Sequence, residues 1–169
     1  MRVLLALVLL GGLTACRSFK TVDLAPEWRP LERVAQAGDK LLKPGQTTCL
    51  GTTLCVADLD DWSRLYPEGS IKRRALLLHE RVHSQRQIEA GLAPWLARYV
   101  ADADFRWREE RLGWEQEIAT LTRAGVQVPV EVFAKILSDE YVHFGARMVS
   151  ATDARAWILE VISLARKTP

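Results

Sequence analysis

Residues 79–83 read His79-Glu80-Arg81-Val82-His83. They lie within 70–91, a stretch whose apolar residues recur at helical spacing. Ile71, Ala75, Leu78 and Val82 make one stripe, Ser70 is a suitable N-cap before it and Gly91 a suitable stop after it. Residues four apart on a helix sit one turn apart on nearly the same face, so the imidazoles of His79 and His83 stand together at the edge of the stripe. That spacing suits two ligands of one tetrahedral Zn2+, at Zn–N distances of about 2.0–2.1 Å. Glu80 lies on the flank of the same face, where a carboxylate can take a proton from water activated by a metal. The chain has 3 histidines, and this pentad holds two of them. Leu77 points away from the stripe, which predicts a helix buried on more than one side.

The first residues set a compartment. Met1-Arg2 supplies a positive charge, and Val3 to Leu10 is an apolar run too short to span a bilayer as a permanent helix. Leu13-Thr14-Ala15-Cys16 resembles the lipobox of bacterial lipoproteins. The resemblance implies a signal peptide over residues 1–15, a lipidated Cys16 as the mature N-terminus, and attachment to a membrane without crossing it. Arg17, where an aspartate would favour inner-membrane retention, points to the periplasmic face of the outer membrane if the organism has one. An ordinary secretory peptide cleaved near Ala15 is the competing reading. Residues 16–30, with Pro26 and Pro30, read as a tether, and 31–169 as a single domain. With 23 basic and 21 acidic residues interspersed along the chain, no clustered basic face is expected, which argues against a nucleic-acid partner. Outside the cytoplasm, Cys49 and Cys55 are most simply a disulfide, contributing on the order of 2–3 kcal/mol; metal ligation is the alternative.

The remaining pattern predicts an α+β, mostly helical fold. Residues 31–42 (Leu31, Val34, Leu41, Leu42) suggest a short helix ended by Lys43-Pro44-Gly45, and the β-branched residues of 46–60 suggest one or two strands. Tyr66-Pro67-Glu68-Gly69 reads as a turn. Pro94 opens a segment anchored by Trp95, Leu96 and Tyr99. A long helix over 101–123 carries Trp107, Trp114, Ile118 and Leu121 as core. A further helix runs from Pro129 to about Asp139, and Ser150-Ala151-Thr152-Asp153 opens a last one to about Lys167.

A catalytic zinc usually has three protein ligands and one open position. A third histidine close in sequence is excluded, since Arg86 and Glu89 stand where the extended motif would need glycine and histidine. The candidates are then glutamates of the next long helix, in Gly113-Trp114-Glu115-Gln116-Glu117. Glu115 and Glu117 flank the Trp114/Ile118 stripe on opposite sides, so a helical wheel does not choose between them. Glu110 is a weaker option, and His143 a further one.

His79, Glu80, His83, Gln87, Trp114, Glu115 and Glu117 together resemble the gluzincin branch of the zincin metallopeptidases. The likeness covers roughly residues 68–120 and looks closest to small bacterial families that pair H-E-x-x-H and a following glutamine with an aromatic-Glu-x-Glu segment. It implies a zincin-like fold, with the motif helix packed on a downstream glutamate-bearing helix and a short strand region before it. It also implies Zn2+ held by His79, His83 and Glu115, with Glu117 as second choice. The better-known E-x-x-x-D form is not matched, because Ala119 lies four residues after Glu115. Tyr141 and His143 are candidate donors to a developing oxyanion. By fold analogy, Thr52–Ala57 would offer an edge strand to an extended substrate. The expected activity is hydrolysis of a peptide or protein substrate outside the cytoplasm. A cell-wall peptide amidase with the same chemistry, and a non-catalytic zincin-like lipoprotein that binds a partner, are the alternatives. Retention of Glu80 argues for an enzyme, because a purely structural site has no need of that base.

Overall fold

Ser70 accepts a hydrogen bond from the Arg73 amide, and Gly91 closes the far end at φ 81°, so the motif helix runs Ile71–Ala90 between the boundaries its caps predict. The computed structural model describes residues 20–38, 41–43, 45–142 and 145–167. The expected signal peptide, Cys16 and His143 lie outside them. The described residues form a four-stranded sheet, β1 (Thr21–Asp23), β2 (Arg33–Gln36), β3 (Thr47–Leu50) and β4 (Thr53–Val56). Six α-helices follow: α1 (Leu59–Leu65), α2 (Ile71–Ala90), α3 (Leu92–Ala101), α4 (Ala103–Arg123), α5 (Val130–Asp139) and α6 (Ala151–Lys167). The architecture is α+β and mostly helical. No helix among the described residues is long and apolar enough to cross a membrane.

The strand order is β1-β2-β4-β3. β2 pairs with β4 in parallel, while β1 with β2 and β3 with β4 are antiparallel. β3 and β4 form a hairpin whose two-residue turn places Gly51 at φ 59°, the left-handed region such turns demand. β4 is therefore an inner strand and β3 the edge, which corrects the expectation that Thr52–Ala57 lies at the rim.

The hairpin register also removes the expected disulfide. Cys49 stands opposite Leu54, and Cys55 opposite Thr48. Successive side chains of a strand point to opposite faces, so the two thiols lie on opposite sides of the sheet. Cys49 packs with Leu54, Val56, Leu76 and Leu77, whereas Cys55 packs with Leu50, Trp95 and Phe105. Both are free and buried.

Two further expectations at the N-terminal end change. Residues 33–36 are strand, not helix; Leu31 and Val34 share helical spacing, but both are fully buried against the β4–α1–α2 side of the sheet. The stretch read as a tether contributes β1 and a 3-10 turn at Pro26–Trp28, so the folded domain begins by Thr21. A three-residue, exposed edge strand is too short to show a period.

The helices form the second layer. Trp114, Ile118 and Leu121 of α4 pack with Ala75 of α2, Ala134 and Leu137 of α5, and Trp157, Ile158 and Val161 of α6. Asp102 caps α4 by accepting from the Phe105 amide, and the Ser150–Asp153 capping pair opens α6. Arg106, 1% exposed, donates to the carbonyls of Tyr99 and Val100 at the end of α3 and of Ala146 beyond α5. It ties three segments together with charge-assisted bonds.

Candidate metal centre

α2 and α4 run antiparallel, and their seam carries the site. His79 and His83 project from α2 with their Nε2 atoms 3.1 Å apart. Across the seam stands Glu110 of α4, with Oε2 3.8 Å from His79 Nε2 and Oε1 3.6 Å from His83 Nε2. One ligand atom from each of the three residues lies within 4.8 Å of the other two, and all three residues are buried. This His-His-Glu group could hold a metal ion.

The surroundings fit such an ion. Gly113, one turn beyond Glu110, gives the imidazoles their room. A Cβ there would lie 2.5 Å from His79 Cδ2, 2.7 Å from His79 Nε2 and 3.0 Å from His83 Nε2. Glu117 accepts from His79 Nδ1 at 2.9 Å, the partner that fixes the tautomer and orientation of a ligating histidine. Three carboxylates, Glu80, Glu110 and Glu117, are gathered around the two rings, while Arg86 is bound to Glu109. A buried excess of negative charge calls for a cation. In the metal-free state a proton takes that part. Burial works to lower His79, but the hydrogen-bonded Glu117 carboxylate and the charges of Glu80 and Glu110 outweigh it and bring the pKa up to about 9. His83 is pushed down to about 4 by burial, against the pull of Glu110. A doubly protonated His79 donates from Nδ1 to Glu117 and from Nε2 to a neutral His83.

The carboxylate beside the histidines is Glu110, not the expected Glu115. Glu115 is exposed and is not brought to the histidines. It stands about 140° around the helix from Glu110, whereas Glu117 is only about 20° away, two turns on. Glu117 meets His79 on the ring nitrogen remote from His83, so Glu110, the weaker option, is the carboxylate in position. Glu110, Gly113, Trp114 and Glu117 form an i, i+3, i+4, i+7 stripe, and the glycine in mid-helix was the available signal of a close approach.

Glu80 is 4% exposed, and its Oε1 accepts from the Thr47 hydroxyl of β3 at 2.8 Å. Burial raises its pKa to about 7, partly opposed by His79 and Thr47. Gln87, on the same helix, binds the backbone of the hairpin: its Nε2 donates to Cys49 O at 3.1 Å, and its Oε1 accepts from Gly51 N at 2.7 Å. Thr47 and Tyr66 were not singled out as site residues from the sequence. Burial, then the charges of Glu117 and Glu80, push Tyr66 up to about 12. Tyr141 lies beside Glu110: burial, then the Glu110 carboxylate, hold its phenol protonated.

Around Glu110 the donors are specific. The Tyr99 hydroxyl donates to Oε1 and Trp114 Nε1 to Oε2 at 3.2 Å. The Trp114 ring meets the His79 ring edge-on at 5.2 Å.

These shifts give a pH dependence. His79 binds a proton more tightly folded than unfolded, so its contribution is complete below about pH 6.5 and is lost as pH rises through about 9. Metal-free protein is expected to lose on the order of 2–3 kcal/mol between pH 6.5 and 9 in urea unfolding. Metal affinity should rise across the same window as the competing proton leaves. A flat stability profile there would contradict the shared proton.

Neither protein-family descriptions nor curated proteins nor solved structures provide a match to this chain.

Proposed function

We propose that this chain is a zinc-dependent metallopeptidase of zincin-like arrangement that hydrolyses peptide bonds outside the cytoplasm, tethered to a membrane of the cell envelope through a lipid on Cys16. The envelope location rests on the lipobox-like sequence. The observation that carries the chemistry is the convergence of His79, His83 and Glu110 within 4.8 Å, with Glu80 next to the first histidine. His79, His83 and Glu110 would hold the ion. Zinc bound there supplies a Lewis acid for a carbonyl and acidifies water.

The chain's own residues do the rest. Thr47 fixes Oε1 of Glu80, and a carboxyl that titrates near 7 can take a proton from the attacking water and return it to the leaving amine at neutral pH. Glu117 keeps the His79 ring in register. Tyr141, beside Glu110, is the candidate donor to the charge that develops on the carbonyl oxygen. An extended peptide is the substrate shape that the edge strand favours. Gln87 reaches Cys49 O from outside the hairpin, so this residue's polar groups point away from β4. The backbone of Thr47, two residues along, points the same way and can pair with a substrate strand.

The reading is tested by metal content and cleavage together. Gently purified wild type is expected to retain close to one equivalent of zinc and to cleave an unfolded protein until chelator is added. Glu110→Gln should lose the metal and Glu115→Gln should keep it. Less than about half an equivalent in wild type would count against the site, and zinc loss on Glu115→Gln rather than Glu110→Gln would reassign the third ligand.

A further inference from the structure

Glu110 differs from the histidines in what holds it. An imidazole is rigid beyond χ2, but a glutamate has three rotatable side-chain bonds, and its carboxylate can turn either oxygen, or neither, toward an ion. Here each oxygen has its own neutral donor: Tyr99 O–H on Oε1 and Trp114 Nε1–H on Oε2 at 3.2 Å. Each oxygen also faces one imidazole, Oε1 toward His83 and Oε2 toward His79. The two donors are themselves fixed. Tyr99 stacks on Trp95 at 4.6 Å with 18° between the planes, and its carbonyl accepts from buried Arg106. Trp114 lies between His79 at 5.2 Å and Phe133 at 4.7 Å. Tyr99 comes from α3, the short helix after the motif helix, so an element that supplies no ligand reaches into the centre.

We propose that Tyr99 and Trp114 are positioning residues for the metal centre, which hold the Glu110 carboxylate with both oxygens turned toward the imidazole pair. The inference rests on the metal reading of the site and adds to it a cause for the carboxylate's orientation. Neutral donors suit the task. They orient the anion without cancelling its charge, whereas an arginine in either place would compete with the ion. Tyr99 matters more than its distance from the histidines in sequence suggests, because it brings a donor to Glu110 from outside α4.

The test is zinc affinity, measured by competition with a chromophoric chelator, on Tyr99→Phe. This substitution removes one hydroxyl and keeps the ring that stacks on Trp95. Zinc affinity is expected to fall by a factor of about 10–100, and the visible spectrum of the Co2+-loaded protein to change in band position. A merely structural role would lower the unfolding midpoint of the metal-free protein and leave both readouts where they were; that result overturns the proposal. If Tyr99→Phe does not fold, Trp114→Phe asks the same question of the other oxygen, with the same two readouts. Wild type that takes up neither Zn2+ nor Co2+ overturns the metal reading and this inference with it. Wild type that binds while the variants bind equally well overturns this inference alone.

Discussion

Glu80→Gln is expected to keep zinc bound and to lower kcat/KM for peptide cleavage by a factor of about 10²–10⁴, the usual contribution of a general base. The replacement is nearly isosteric. The Thr47 hydroxyl that now donates to Oε1 can donate to the amide oxygen instead, so the side chain has no reason to leave its place. What disappears is the group that can accept a proton near pH 7. None of the three proposed ligands changes, so metal content should stay at the wild-type level while turnover falls. The loss should appear in kcat rather than KM, because the proton is transferred in the transition state and not on binding. Cleavage at the wild-type rate, with zinc confirmed in the same sample, would remove Glu80 from the mechanism. Loss of zinc together with activity would instead show that Glu80 shapes the site rather than acting in it.

Gly113→Ala is the second large effect, and its sign separates two views of the α4 helix. On helix propensity alone, alanine in a helix interior is better than glycine by about 0.8–1.0 kcal/mol, and the variant should be more stable. The site says the opposite. The added methyl would meet His79 Nε2 at 2.7 Å and His83 Nε2 at 3.0 Å, in the space between the two imidazoles and the helix that carries Glu110. The rings are buried and one is fixed by Glu117, so they cannot yield as an exposed side chain would. Urea unfolding of the metal-free variant is expected to show a loss of about 1–3 kcal/mol, as for other overpacked interiors. Zinc affinity should drop by more than about tenfold, a cost above about 1.4 kcal/mol. A variant that is more stable and still binds zinc would mean that the seam is looser than the distances imply.

Much of the helical layer is legible in the sequence because its signals are local. Ser70 and Gly91 mark the ends of α2, Pro129 the start of α5, and Ser150 with Asp153 the start of α6; each is a cap or a breaker acting within a few residues. The sheet is a different case. β2 is four residues long and is held by a parallel partner twenty residues away, so nothing in its own composition distinguishes Val34 on a strand, with Leu31 just before it, from the same residues on a helix. The cysteine pair fails for a related reason: five residues apart suits a small loop, and only the hairpin register reveals that an odd offset sends the thiols to opposite faces. At the site, the pentad places His79, His83 and Glu80 together because helical geometry alone relates them. The third carboxylate depends on how α4 is rotated against α2. The packing of Trp114 and Ile118 sets that rotation, and it turns Glu110 and Glu117 inward and Glu115 out. Thr47 and Tyr99 come from other elements altogether, and no spacing rule links them to the motif.

Glu109 and Glu110 are neighbours in sequence, and both are almost fully buried, at 1% and 3% exposed. Their counter-charges have different origins. Glu109 is matched from within the polypeptide by the guanidinium of Arg86, with Trp95 as an added donor. Glu110 is held by the uncharged groups of Tyr99 and Trp114, and the charge that faces it is a protonated His79, 3.8 Å away. One acid of the pair is thus neutralised by translation itself, whenever the helices meet. The other is matched by a proton on His79, which the proposed metal ion would have to displace. On the proposed metal reading, loading the ion displaces that proton, so uptake should release acid, measurable as a fall in pH of an unbuffered solution.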